Sequence, residues 1–117
     1  MVLGDPTDME RAMEEALTQP PAPLNAFTSD ACILELVPAG VDKGAGLEAA
    51  ANLLGIPLSE TIAVGDGFND LPMILRAGLG CAMANAPEAV QRQARLIVPS
   101  CRHDGVAWLI RHRLLEP

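Results

Sequence analysis

The chain has 117 residues, half of them hydrophobic, and a net charge of −7; its length is one domain's worth and suffices to bury about two thirds of the surface an unfolded chain exposes. The acidic balance argues against a nucleic-acid backbone or an anionic membrane as the main partner, because neither attracts the chain as a whole. Cys32, Cys81 and Cys101 form no C-x-x-C pair, which argues against a disulfide framework or structural zinc, and no stretch reaches the roughly 18 apolar residues of a membrane span.

The first residues lack the basic-then-apolar order of a signal peptide, so the expected setting is a reducing cytosol. After the short apolar start at Met1 to Leu3, "GDPTDMERAMEEALTQPP" predicts a helix ending before Pro20. Thr7 and Glu10 have capping-box spacing there, and Met9, Met13, Ala16 and Leu17 share one face. "PPAPLNAFTSD" carries three prolines and no periodicity and reads as an extended connector; "ACILELVP" then reads as a strand. Lys43 to Leu54 predicts a second helix with Leu47, Ala50, Ala51 and Leu54 on one stripe and Gly55 at its stop.

From there strand and helix alternate. "TIAVGD" is a buried-strand run, "NDLPMILRAG" a helix stopping at Gly78, "LGCAMA" a strand, and "APEAVQRQA" a helix opened by Pro87. "LIVPS" is a further strand, and "GVAWLIRHRLL" a last helix with Val106, Leu109 and Ile110 inward. Short links between alternating elements imply a parallel sheet with right-handed crossovers, whose strands are covered on both faces. The expected class is α/β.

In such sheets ligands sit beyond the carboxyl ends of the strands. "VGDGFNDLP" places Asp66, Asn69 and Asp70 at that end. Asn69 or Asp70 reads equally well as a helix cap, whereas Asp66 directly ends an apolar strand between Gly65 and Gly67, which let the backbone approach a ligand closely. Two hard oxygen ligands suit Mg²⁺, which takes one or two carboxylates and completes its shell with water and a substrate phosphate. Lys43 in "GVDKGAG" offers the positive charge a phosphate needs, although taken alone it reads as a solvated surface lysine. Gly44 and Gly46 read either as an anion cradle or as plain loop glycines, and the stretch is not a phosphate-binding loop of G-x-x-x-x-G-K type. His103 with Asp104, or Cys101 with His103, are weak candidates for an acid–base or metal pair; Trp108 reads as core.

"VDKGAGLEAAANLLGI", "TIAVGDGFNDLPMILRAGLGCAMANAPEAVQRQA" and "DGVAWLI" together closely resemble the carboxyl-terminal portion of Cof-type phosphatases in the haloacid dehalogenase superfamily, over nearly all of Gly40 to Leu115. The resemblance implies a partial Rossmann-like parallel sheet with flanking helices over residues 40–117, preceded by a cap-domain remnant and linker over residues 1–39. It also implies phosphoryl transfer through a covalent aspartyl phosphate with Mg²⁺ bridging attacker and phosphate. Lys43 then resembles the lysine that binds phosphate and holds the nucleophile, and Asp66 the metal ligand. Asn69 resembles the phosphate-contacting amide, and Asp70 the carboxylate that ligates the metal or orients its water shell. Asn85 in "AMANAP" borders the site or caps a helix.

The family's nucleophile lies in a D-x-D motif after the first core strand, and no D-x-D occurs in these 117 residues. The expectation is therefore a truncated phosphatase, inactive alone, whose substrate once completed is a small phosphorylated metabolite. Non-enzymatic alternatives are a ligand-binding or oligomerising module; the remaining one is half of a split enzyme. Without the nucleophile strand beside it, "TIAVG" should be an apolar sheet edge that invites a homodimer.

Overall fold

In the computed structural model, which describes residues 1–18, 22–30 and 32–115, the chain builds two three-stranded sheets, one antiparallel and one parallel. The antiparallel sheet has the order β1 (Val2–Leu3), β3 (Ile33–Pro38), β2 (Leu24–Asp30). Helix α1 (Pro6–Thr18) packs against β2 and β3 through Met9, which is buried. Its start differs from the expected capping box. Pro6 opens the helix, where a missing N–H costs nothing, and Asp5 Oδ1 accepts the Asp8 N–H at 3.1 Å. Met13 and Ala16 are half-buried, while Leu17 faces solvent.

The expected connector is in large part a strand. Leu24 to Asp30 pairs antiparallel with β3, Phe27 opposite Glu35 and Thr28 opposite Leu34, with an irregularity between Thr28 and Asp30; Pro20 and Pro21 lie outside the described residues. Prolines crowd only the stretch before the strand, leaving the N–H groups of Leu24 onward free for a ladder.

Helix α2 (Lys43–Leu54) has the predicted bounds. Asp42 Oδ1 accepts the Ala45 N–H at 2.7 Å, and Gly55 takes the left-handed conformation (φ 66°) that releases the chain. Its buried face is narrower than the apolar stripe suggested: Ala51 is buried, but Ala50 and Leu54 are exposed. The reason is that α2 meets α3 (Leu71–Arg76) through Gly44. A Cβ at Gly44 would lie 2.6 Å from Pro72 O, so contact concentrates at the amino-terminal end of α2. Gly44 therefore serves helix–helix packing, and both Gly44 and Gly46 lie within α2 instead of in a loop.

The parallel sheet has the order β4 (Ile62–Gly65), β5 (Leu79–Met83), β6 (Leu96–Val98), in register Val64 to Cys81 and Met83 to Val98. Successive strand residues face opposite sides. Ala82 joins Ile74, Ala86 and Val90 beneath α3 and α4 (Glu88–Gln91), whereas Cys81 and Met83 join Val98 and Leu109 beneath α5 (Gly105–Ile110). Two-sided cover holds for β5 from Gly80 to Met83. On β4, Ile62 and Val64 stay half-buried, because β4 is the edge strand and pairs only with β5 among the described residues. Within α5 only Leu109 is buried as expected; Val106 and Ile110 are each more than two-fifths exposed. Trp108 is half-buried, packs on the Leu109 cluster and stacks on His112 with ring centroids 4.5 Å apart. No helix among the described residues is long and apolar enough to cross a membrane.

Candidate functional site at the β4 carboxyl end

Strand β4 ends at Gly65, and the chain turns through Asp66 and Gly67 into a short 3₁₀ turn, Phe68–Asp70, that leads straight into α3. The turn folds this way because one side chain satisfies its backbone. Asp70 Oδ2 accepts the N–H groups of Asp66 at 2.9 Å and Gly67 at 3.0 Å. Gly65 makes room for this: a Cβ there would lie 2.3 Å from Asp70 Cβ and 2.6 Å from Oδ2. The other oxygen, Oδ1, accepts from Lys43 Nζ at 2.5 Å, and this contact crosses from the first residue of α2.

The pair is asymmetric in its exposure. Asp70's side chain is 8% exposed and Lys43's 50%. Burial raises the Asp70 pKa, but the Lys43 hydrogen bond, the two backbone N–H donors and the Lys43 charge outweigh it, so the carboxyl titrates below its ordinary range. Asp70 thus closes the 3₁₀ turn from within, makes no side-chain cap bond to α3 as the helix-cap reading expected, and is also the acceptor that fixes the only lysine of the chain.

Asp66 differs in every respect. Its side chain is exposed, and its Oδ2 accepts from Asn85 Nδ2 at 3.0 Å. Asn85 Oδ1 in turn accepts the Cys101 N–H at 2.9 Å. The cap of α4 is Pro87, without a side-chain hydrogen bond, so of the two readings open for Asn85 the structure selects the one at the border of the site. Asn69 is buried on the same turn, with the position a Gly67 Cβ would take 2.7 Å from its Oδ1.

Lys43, Asp66, Asn69 and Asp70 therefore converge from two elements at one strand end, and Asn85 joins them from a third. The weak candidates do not. His103 is exposed, with Nδ1 2.8 Å from Ser100 Oγ, and no group of three or more His, Cys, Asp or Glu among the described residues is arranged to hold a metal by itself. Sequence spacing gave no hint of the Asn85 link, which spans 19 residues to Asp66 and 16 to Cys101.

The donor chemistry suits a hard, mostly hydrated cation. A carboxylate has about four lone-pair positions; three of Asp70's are taken, and the fourth adjoins the Lys43 ammonium. Asp66 Oδ1 has no hydrogen-bond partner among the described residues. One available carboxylate oxygen with a second carboxylate close by fits Mg²⁺, which needs few protein ligands, and would not fit a cation requiring an all-protein cage.

Comparison with known proteins gives the family of the chain. A profile of the haloacid dehalogenase-like hydrolases matches residues 1–110. Over 78 residues the chain is 42% identical to the stress response protein YhaX of Bacillus subtilis, covering 67% of this chain and 27% of that protein. Over 76 residues it is 46% identical to a phosphoglycolate phosphatase of Methanopyrus kandleri, covering 65% of this chain and 32% of that one. A solved haloacid dehalogenase-like hydrolase from B. subtilis superposes with a TM-score of 0.84 at 33% identity over 92% of this chain and 37% of its own. The chain spans about a third or less of these curated relatives' length. It belongs to the family of haloacid dehalogenase-like hydrolases.

Proposed function

We propose that these residues form the cation- and phosphate-handling part of a Mg²⁺-dependent phosphomonoester phosphatase of Cof type. In this reading residues 1–39 belong to the cap and its linker, residues 40–117 to the core, and the setting is the cytosol. The observation that carries it is the convergence of Lys43, Asp70 and Asp66 on one turn. Asp66 would hold the cation and Asp70 its water shell; the cation, when bound, neutralises charge on the phosphoryl group. Lys43, pinned by Asp70 at the site's rim, supplies a fixed positive charge to phosphate oxygens without reorganising at the moment of reaction. Asn69 offers an amide donor to the same group. The names of two relatives, phosphoglycolate phosphatase and HMP-PP phosphatase, support a small phosphorylated metabolite as the substrate class.

The attacking carboxylate of the family's reaction has no counterpart among these 117 residues. Hydrolysis is therefore expected only when a polypeptide carrying a D-x-D strand completes the site. Purified chain with Mg²⁺ should leave p-nitrophenyl phosphate intact yet bind inorganic phosphate in a Mg²⁺- and Lys43-dependent manner, and hydrolysis should appear on adding such an amino-terminal partner. Steady hydrolysis by the chain alone, or phosphate binding indifferent to Lys43→Ala, would contradict the reading.

A second reading rests on β4 as the edge of the parallel sheet. Its backbone edge, unpaired among the described residues, and half-buried Ile62 and Val64 suit pairing with another strand, so the chain would act as a non-catalytic ligand-binding module that assembles as a homodimer. Phosphate binding without hydrolysis under any complementation favours it.

A further inference from the structure

The proposed site needs a reason for Asp66 to present an oxygen outward, because an exposed carboxylate on a glycine-flanked turn is otherwise free to rotate. We infer that Asn85 is the positioning residue that fixes Asp66 for cation binding; the inference rests on the reading of Asp66 as cation ligand. Asn85 follows the carboxyl end of β5, the neighbour of β4, and reaches sideways across the top of the sheet. Its amide is oriented by chemistry alone. Cys101's N–H is a donor, so the atom facing it must be Oδ1, which leaves Nδ2 to face Asp66 Oδ2. A flipped amide would set donor against donor on one side and acceptor against acceptor on the other. One Asp66 oxygen is thereby engaged, the carboxylate plane is held, and Oδ1 remains available to a cation.

The same amide ties together three loops: residues 66–67 after β4, 84–87 after β5 and 99–101 after β6. Each follows a strand of the parallel sheet, so the tie spans the full width of its carboxyl-terminal edge. An outer-shell partner of this kind changes metal affinity by about 10- to 100-fold when removed. A purely structural tie between loops would instead lower stability and leave the cation affinity of the folded chain alone.

The test uses the 117-residue chain with Mn²⁺ as the probe, followed by electron paramagnetic resonance, together with side-chain amide NMR in the metal-free state. Metal-free, the Asn85 Nδ2 protons should resonate apart from solvent-exposed amides and lose that signature in Asp66→Ala; an unchanged resonance overturns the tether. With Mn²⁺, Asn85→Ala should weaken binding about tenfold or more while melting as a folded chain, and Gln91→Ala, which removes a nearby amide that bonds the Ala84 and Ala86 carbonyls, should bind as the parent does. Parent binding that Asp66→Asn abolishes but Asn85→Ala leaves untouched overturns the positioning role and spares the cation site. Equal Mn²⁺ binding by parent and Asp66→Asn, or none by the parent, overturns the cation site itself and with it the role assigned to Asn85.

Discussion

Lys43 Nζ lies 2.5 Å from Asp70 Oδ1 across 27 residues of sequence, and the same carboxylate holds the N–H groups of Asp66 and Gly67 with its second oxygen. One buried side chain thus fixes both the shape of the turn and the place of the site's positive charge. Replacing it separates the two effects. Asp70→Asn has a single oxygen: kept on the Asp66 and Gly67 N–H groups it turns an amide donor toward the ammonium, and turned to the ammonium it sets an amide donor against those N–H groups. It should destabilise the chain by about 1–3 kcal/mol, as expected for a lost charged hydrogen bond at a mostly buried group; urea unfolding measures this, and a change within error would contradict the assignment.

The pH dependence follows from the direction of the Asp70 shift. Its folded pKa is lowered from 3.8, so the unfolded chain binds the proton more readily. The stabilisation is fully present above the unfolded value and is lost as pH falls through the lower folded one. The difference in unfolding free energy between parent and Asp70→Asn, measured in EDTA, should be flat from neutral pH to about pH 5 and shrink only in more acidic solution. A difference that instead vanishes near neutrality would assign the effect to another group.

Two glycines should respond in opposite directions. Gly65→Ala places a methyl where Asp70 Cβ and Oδ2 already sit, so it should cost about 1–3 kcal/mol and disrupt the turn. Gly46→Ala, within α2 and with open space around the added atom, should stabilise by about 0.5–1 kcal/mol through helix propensity. Thermal melts of both variants decide it.

Helix α5 offers a similar contrast. Leu109 is buried beside Cys81, Met83 and Val98, and Leu109→Ala should cost about 2–5 kcal/mol. Ile110, two-fifths exposed, should lose under about 1 kcal/mol on the same change. Equal losses would mean that α5 sits rotated from the orientation described.

The β4 edge predicts self-association. Sedimentation velocity should show the weight-average mass rising toward twice the chain mass with concentration, and a Lys substituted at Val64, on the half-buried face of the edge strand, should lower it. A strictly monomeric mass at high concentration would contradict pairing there.

Much of this was legible in the sequence. Gly55 marks the end of α2 because capping chemistry is local, although the equally local Asp42 cap went unread; the parallel sheet follows from continuous apolar runs joined by short helices. The convergence of Lys43 with the 66–70 turn was visible only through resemblance, since nothing in its own neighbours distinguishes Lys43 from a surface lysine. Strand β2 was hidden because its partner β3 and the turn at 68–70, against which it also lies, supply its order, while its own residues lack alternation. Leu54, Val106 and Ile110 fall on apolar stripes yet face solvent, for a stripe shows which face is greasy and says nothing of what stands opposite. Asn85 in "AMANAP" stood out only through the resemblance, with two readings open; its partners are set by the order of strands in the sheet.

The central claim is that one divalent cation binds beside Asp66 at the carboxyl end of β4. The most direct measurement is a Mn²⁺ paramagnetic broadening map of the ¹⁵N-labelled chain. Signal should be lost first at the amides of residues 65–67 and the side-chain amide of Asn85, and Asp66→Asn should abolish that loss. Broadening that instead centres on the exposed acids of α1, Glu10, Glu14 and Glu15, and survives Asp66→Asn would contradict it.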